Sequence, residues 1–247
     1  MNEKVHAGHI CGIPVVIDAT LIIMIVLYSY PYLTSGSPAM VAHGLLFATG
    51  GVLSILIHEL AHAMAGRLVG CEATHIELNG CGGLCCFPRL FRDRSHDIFV
   101  TLAGPASNLA LWALFYWASD GIAEAQYAWF YNEASGELVQ SPASGFLNDL
   151  NWLCVSLASL NIGLFVFNML PAFPLDGGRA LSAAFATRME GPTANRTVAG
   201  LGFGVIALCV YEALKGNTWM LVPAFTLFQA NYAAWTVLGR TPWSRWN

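Results

Sequence analysis

Charged residues are scarce in this chain of 247 residues. Only 11% of the residues are charged, whereas soluble domains carry about 25%. Apolar residues make up 56% of the chain, and the mean hydropathy is +0.55. The formal net charge at pH 7 is −4. The composition excludes an ordinary soluble domain and predicts a protein that lies in a lipid bilayer, with no nucleic-acid partner.

Apolar runs of about 20 residues, the length that a transmembrane helix needs, recur along the chain. We therefore expect an all-α polytopic membrane protein with about six transmembrane helices. The runs are Val15–Leu33, Met40–Arg67, Ile98–Ser119, Asn151–Leu170, Val198–Leu214 and Trp219–Leu238.

The Lys and Arg residues fall almost entirely on one side of such a six-span arrangement. Only Lys215 falls on the other side, where the segment Asp120–Asp149 has five acids and no Lys or Arg. The positive-inside rule then places both termini in the cytoplasm, the cell membrane being the expected location in a prokaryote. The same rule makes Asp120–Asp149 the one sizeable external loop. A cleaved signal peptide is the alternative at the N-terminus, but HICGIPVVID is more typical of a strand than of a basic leader.

The organisation of the chain is simple. It has no low-complexity tract, no clear repeat, and no room for an appended soluble domain after Leu238. We therefore expect residues 1–247 to form a single integral membrane domain.

Two histidines and a glutamate interrupt the apolar stretch VLSILIHELAHAMAGRLVG, Val52–Gly70. His58 and His62 are four residues apart, so one helical face presents both rings, and Glu59 lies beside them. This HExxH pattern is typical of a zinc site in which the glutamate acts on a bound water. Buried histidines that only hydrogen-bond between helices are the alternative.

A catalytic zinc needs a third protein ligand, and NMLPAFPLDGGR, Asn168–Arg179, offers one. Pro171 and Pro174 break the fourth apolar run, and irregular backbone at membrane depth is tolerated only inside the protein or beside a wet cavity. The break reaches the same inner half of the membrane as the two histidines. Asp176 is therefore the candidate third ligand, unless PLDGG is an ordinary turn at a helix end.

Two asparagines lie at similar depth. Asn168, at the start of the break, is a candidate hydrogen-bond donor to an oxyanion that develops during a reaction at the zinc. Alternatively, it hydrogen-bonds backbone groups that the prolines leave without a partner. Asn108 belongs to AGPASN, which brings Gly104, Pro105 and Asn108 into the same layer. Asn108 is a candidate substrate-binding residue, although a hydrogen bond between helices is the more ordinary role.

A short hairpin is predicted over His75–Phe87, where THIEL and LCCF flank the turn glycines of NGCGG. Gly82 and Gly83 allow another backbone to approach closely. The hairpin can therefore pair with an unwound segment of another protein through main-chain hydrogen bonds, as in strand addition. Alternatively, these glycines only make the turn and the hairpin plugs the site.

Cysteines and the remaining histidines suggest little further chemistry. The chain has 7 cysteines, five of which fall on the expected cytosolic side, where thiols stay reduced. CGGLCC invites a second metal site, but its spacing is not that of a usual zinc site. His6, His9, His75 and His96 are expected to be plain interfacial residues, and His43 lies far from the proposed zinc.

Taken together, HELAHA, AGPASN, the NxxPxxPLDGGR break and the NGCGG hairpin resemble the site-2 protease family of intramembrane zinc metalloproteases. The matching motifs extend from about residue 41 to residue 179. The resemblance implies one zinc ion per chain bound by His58, His62 and Asp176, with Glu59 as the base, and cleavage of transmembrane protein substrates. Members often carry a PDZ or CBS domain, which this sequence does not show, so regulation is left to an unknown membrane partner.

Two other functions remain open from the sequence alone. A polytopic metal transporter would use the His/Asp cluster as a transit site, and a catalytically inactive membrane scaffold would use it only structurally. Neither needs a general base, yet Glu59 and all three candidate ligands are present. We therefore expect an intramembrane zinc endopeptidase.

Overall fold

A computed structural model gives the fold and describes residues 4–89, 91, 93–130 and 144–236. Helices dominate, and a small four-stranded sheet accompanies them. In chain order the elements are β1 Lys4–Ile10, β2 Ile13–Asp18, α1 Leu21–Leu33, α2 Pro38–Leu68, β3 His75–Asn79, β4 Gly82–Cys86, α3 Arg94–Phe130, α4 Ser144–Asn168, α5 Asp176–Phe185, α6 Gly191–Leu214 and α7 Leu221–Thr236.

Four helices are long and apolar enough to cross a membrane, namely α2, α3, α4 and α6. They confirm four of the six predicted spans, while the count of six is not confirmed. The first predicted span, Val15–Leu33, is wrong over its first residues, because Ile13–Asp18 is a strand and α1 has only 13 residues. The last, Trp219–Leu238, begins with a 3₁₀ turn at Thr218–Met220, and α7 has 16 residues.

The predicted external loop is shorter than expected. Helix α3 continues to Phe130 and α4 begins at Ser144, so both helices extend into Asp120–Asp149. The rest of that segment lies outside the described residues. So do Arg92, Arg240 and Arg245, three of the basic residues that are expected on the cytoplasmic side.

The sheet has the order β1-β2-β3-β4. The predicted hairpin is confirmed as β3 and β4, which pair antiparallel with Glu77 opposite Leu84. A second hairpin, β1 and β2, joins it through the parallel pairing of β2 with β3, with Val16 opposite Glu77. The sequence suggested one strand in this N-terminal segment, whereas the Cys11–Gly12 turn divides it into two, with both residues at positive φ.

Packing places the sheet against the inner part of α2. Ile76 and Leu78 of β3 and Cys85 of β4 lie in one core with Ile55 and Ala63 of α2. Because β4 is the last strand in the order, its outer edge has no neighbouring strand among the described residues. The fold therefore leaves an open strand edge beside the HExxH helix.

Candidate metal centre

Helix α2 turns its polar residues inward and its apolar residues outward. His58, Glu59 and His62 are buried, while Leu53 and Ile57 are exposed on the other face. This is the reverse of the arrangement in a soluble protein, and it fits a helix whose outer face meets lipid. Ionisable residues inside such a helix mark a functional site by default.

The break between α4 and α5 lies where the two prolines predict it. Helix α4 ends at Asn168 and α5 begins at Asp176, so Asp176 occupies the first turn of a new helix. The α5 backbone packs tightly on the break, because a β-carbon on Gly177 would lie 2.3 Å from the Met169 carbonyl oxygen. This contact requires glycine at position 177 and brings Asp176 toward α2.

Three ligand-type atoms meet between α2 and α5. Asp176 Oδ2 lies 3.0 Å from His58 Nε2 and 3.3 Å from His62 Nε2, and the two Nε2 atoms are 3.1 Å apart. Ligands about 2.0–2.1 Å from a tetrahedral zinc lie roughly 3.3–3.4 Å from each other. The spacing of the three atoms is therefore close to that of one face of a zinc tetrahedron.

The hydrogen bonds of the two Nδ1 atoms determine which nitrogen of each histidine faces the metal centre. His62 Nδ1 donates to the Val100 carbonyl at 2.7 Å, and His58 Nδ1 donates to Asn108 Oδ1 at 2.6 Å. In neutral histidines this leaves both Nε2 atoms as acceptors, beside a carboxylate oxygen that is also an acceptor. Three acceptors in contact, with no donor among them, repel one another unless a cation binds between them. The donor set therefore fits a zinc ion.

Helix α3 closes the centre from one side. A β-carbon on Gly104 would lie 2.3 Å from His62 Nε2 and 2.6 Å from His58 Nε2. Any larger residue at 104 would therefore fill the space where the three ligands converge. This explains why the glycine of AGPASN lies at the depth of the histidines.

Glu59 faces a cavity of about 610 Å³ that also exposes the three candidate ligands. Strand β4 borders this cavity and approaches Glu59 closely, since a β-carbon on Gly83 would lie 2.4 Å from Glu59 Cγ and 2.7 Å from its Oε1. Gly82, with a φ of +131°, also borders the cavity but leaves open space around its α-carbon. The two glycines thus differ, because Gly83 makes room for Glu59, whereas Gly82 begins β4 with a positive φ.

The two predicted asparagines have clear hydrogen-bond partners. Asn108 borders the cavity but is fully buried, and its Oδ1 accepts from His58 while its Nδ2 donates to Asn161. This geometry favours a role behind the ligand over the predicted substrate contact. Asn168 borders the cavity, while its Nδ2 donates to the Leu164 carbonyl at 3.0 Å.

The second metal site suggested by CGGLCC receives no support from the geometry. Within the described residues, the group whose ligand atoms converge is His58, His62 and Asp176. Burial raises the pKa of the Cys85 and Cys86 thiols, which disfavours the thiolate that binds metal.

Sequence reasoning missed two residues at the site. Arg179 of LDGGR had no predicted role, and its Nη1 lies 3.5 Å from Asp176 Oδ1. Asn231 of α7 holds the break, because its Oδ1 accepts from the Phe173 N–H and its Nδ2 donates to the Phe173 carbonyl. Arg179 could have been found from its position one helical turn after Asp176, whereas no local pattern marks Asn231.

The other histidines lie away from the centre. His43 pairs with Asp149 at 3.1 Å and lies against the Trp152 ring. His96 lies 3.8 Å from Asp93. These contacts agree with the expected ordinary roles of both residues.

Comparison with known proteins gives concordant matches. Residues 46–211 match the model of the family described as Peptidase family M50. Over 93% of its length the chain is 28% identical to Rip3 of Mycobacterium tuberculosis, whose name assigns it provisionally to the zinc metalloproteases. It is 24% identical, again over 93% of its length, to the zinc metalloprotease MJ0392 of Methanocaldococcus jannaschii. The chain spans 58% and 60% of the lengths of these two relatives.

Among solved structures, the site-2 protease from Methanocaldococcus jannaschii has the same fold, with a TM-score of 0.65 at 19% identity. The match covers 95% of this chain and 96% of that one. These matches give no support to the metal-transporter alternative.

Proposed function

The chain belongs to peptidase family M50, and from this we propose that it is a zinc-dependent intramembrane endopeptidase. Its substrates are membrane proteins, which it cleaves within or near their transmembrane segments. The observation that carries the proposal is the convergence of His58, His62 and Asp176 beside Glu59 in one buried cavity. A transporter or an inactive scaffold has no use for a carboxylate in the position of Glu59.

His58, His62 and Asp176 would hold the zinc ion at the border of the cavity. A zinc ion so bound lowers the pKa of its water and polarises a peptide carbonyl. Each histidine is held in place by the hydrogen bond at its Nδ1. Arg179 lies against the Asp176 oxygen that is turned away from the histidines and limits its rotation.

Glu59 is the general base. It accepts a proton from the attacking water and returns that proton to the amine that leaves when the peptide bond breaks. The residue is 6% exposed, and its side chain packs closely against Gly83. Asn168 borders the same cavity, where its Nδ2 donates to the Leu164 carbonyl. It would stabilise the developing oxyanion if Nδ2 donated to the substrate oxygen instead.

The cavity also has an apolar border through which a transmembrane segment can approach. Met24, Leu27 and Tyr28 of α1 border it, and Leu27 also borders a second, apolar groove that includes Trp219. Lipid-facing side chains therefore continue from the outer surface of α1 to the cavity. We place the entry of a substrate helix along this surface.

The enzyme itself can be tested with isolated membranes. Purified protein in lipid vesicles would be incubated with these membranes, and new peptide termini would be mapped by mass spectrometry. The expected result is a set of new termini inside transmembrane segments that disappears with a zinc chelator and returns when zinc is added. Zinc transport across the vesicle membrane without new termini would instead favour a transporter.

The orientation in the membrane is a separate prediction. We expect a reporter fused after Asn247 to be cytoplasmic and one inserted near Gly136 to be external, because the basic residues gather on the side of the termini. Both positions lie outside the described residues, so a reporter assay is the direct test. The opposite result at both sites would place the metal centre near the external face.

Presentation of the substrate is the further part of the proposal. A helical substrate hides its peptide carbonyls in hydrogen bonds and must be unwound before it is cut. Strand β4 offers an open edge beside Glu59, and Gly82 to Cys85 border the cavity. We propose that the unwound segment pairs with this edge through main-chain hydrogen bonds.

Proline substitutions on β4 test strand pairing. Because N–H groups alternate between the two edges of a strand, either Leu84→Pro or Cys85→Pro removes a donor from the open edge. We expect at least one of these variants to lose cleavage and keep zinc, and substrates with Gly, Pro or Asn near the cut to react faster. Ala7→Pro on β1, at the opposite edge of the sheet, is the matched control. Strand pairing would be abandoned if both β4 variants folded with full activity.

A further inference from the structure

A ring of buried polar side chains begins at the candidate ligand His58 and extends behind the metal centre, and its other members have no catalytic role in the proposed function. It runs from His58 of α2 to Asn108 of α3, then to Asn161 of α4, and returns to Ser54 of α2. The three links measure 2.6, 3.0 and 3.0 Å. Ser54 and His58 are one helical turn apart, so the ring is closed by α2 itself.

The direction of every hydrogen bond in this ring follows from one backbone carbonyl. Asn161 Nδ2 donates to the Leu157 carbonyl at 2.9 Å, and a carbonyl can only accept. Asn161 Oδ1 must therefore face Asn108, where it accepts from Nδ2. This turns Asn108 Oδ1 toward His58, and an amide oxygen can only accept.

His58 must therefore carry its proton on Nδ1 and present a bare Nε2 to the centre. Without the ring, the neutral imidazole could place the proton on either nitrogen, and only one of these tautomers binds metal through Nε2. The amide of Asn108 also fixes the plane of the ring. Groups of this kind orient metal ligands and raise their basicity.

We infer that Asn108 and Asn161 are positioning residues, which set the tautomer of His58 through the Leu157 carbonyl and thereby raise the affinity for zinc. The inference rests on the proposed function for the identity of the metal. Asn161 thereby has a role in metal binding, although it contacts none of the three metal-ligand residues and lies 53 residues from Asn108 in the sequence. A merely structural role would instead join α2, α3 and α4 with no effect on metal binding.

Zinc affinity of the purified, full-length protein in detergent separates the two roles. The dissociation constant would be measured by competition with a chelating dye, alongside the thermal unfolding of the metal-free protein. We expect Asn108→Ala to weaken zinc binding by about 10- to 100-fold, the usual effect of losing such a support. Asn161→Ala should weaken it by a smaller factor, because Asn108 is then free to flip but still present.

Three further variants make the test specific. Asn108→Asp keeps an acceptor for His58 Nδ1 and should regain most of the affinity. The double variant Asn108→Ala with Asn161→Ala should bind zinc no more weakly than Asn108→Ala alone, because Asn161 acts through Asn108. Asn195→Ala removes another buried amide, which bonds Ser182 at a distance from the ligands, and should lower stability without changing the zinc affinity.

The outcomes are distinguishable. Zinc affinities of Asn108→Ala and Asn161→Ala equal to that of the wild type would overturn the inference and leave the proposed function intact. Failure of the wild-type protein itself to bind zinc would overturn the proposed function. If Asn108→Ala does not fold, Asn161→Ala decides the question, since it keeps Asn108 against His58 and is still expected to weaken zinc binding.

Discussion

Replacement of Glu59 by glutamine is expected to lower the rate of peptide cleavage by about 10²- to 10⁴-fold, the usual contribution of a general base. Glutamine has nearly the shape of glutamate, so it still fits between the centre and Gly83. His58, His62 and Asp176 are unchanged in this variant, and zinc content should remain near one per chain. Cleavage of a candidate substrate and metal content would be measured on the same preparation.

Glu77→Gln is the matched control for this variant. Glu77 lies on β3, where it pairs with Lys4 at 2.6 Å, and it is not part of the cavity border. Its replacement removes one carboxylate near the sheet while leaving the centre intact, so cleavage should persist. A Glu59→Gln protein that cleaves at nearly the wild-type rate would rule out the assigned base.

Replacement of Asp176 by asparagine should weaken zinc binding and cleavage together. A neutral amide is a poorer ligand than a carboxylate. The asparagine side chain would present either its carbonyl oxygen or its NH₂ group to the two Nε2 atoms. We expect the loss of zinc affinity to exceed the roughly 100-fold upper effect of a residue that only supports a ligand. Dialysis against a mild chelator followed by atomic absorption measures the metal that remains.

Asp149→Asn provides the comparison for this loss. Asp149 is an exposed carboxylate of α4 that also contacts a histidine, His43, at 3.1 Å. Because this pair lies away from the centre, zinc content should not change. Full zinc occupancy in the Asp176→Asn protein would move the third ligand to another residue.

The metal centre was predictable from the sequence because its residues stand out locally. His58, Glu59 and His62 lie within five consecutive positions of an apolar helix, and two prolines mark the break before Asp176. Polar residues and prolines are expensive at membrane depth, so each one signals a reason for its presence. Because the two segments were expected at the same depth in the membrane, the three ligands were expected to lie close together.

The supporting residues were not predictable in the same way. Asn161 and Asn231 are single asparagines in apolar helices, with nothing in the flanking sequence to indicate a partner. Asn231 bonds Phe173, 58 positions earlier in the chain. Such pairs depend on how the helices pack, which a single sequence does not state.

The first apolar run was misread for a different reason. Residues Val15, Val16 and Ile17 are as apolar as a membrane helix, but they form β2. Periodicity cannot distinguish a short buried strand from a helix segment when every residue is apolar. The sequence therefore predicted both a strand over HICGIPVVID and a span from Val15, and the pairing of β2 with β3 decides for the strand.

That pairing has a consequence for the shape of the bilayer around the protein. Strands β2 and β3 belong to one sheet, so the chain must return to the same side of the membrane between Asp18 and His75. If α2 crosses once, the preceding stretch must cross in the opposite direction, and its only helix is α1, with 13 residues. Such a helix is about 20 Å long, against a hydrocarbon core of about 30 Å. Local thinning of the lipid is one way in which hydrophobic mismatch of this size is relieved, and the thinned lipid would lie beside the exposed Leu27, at the border of the cavity.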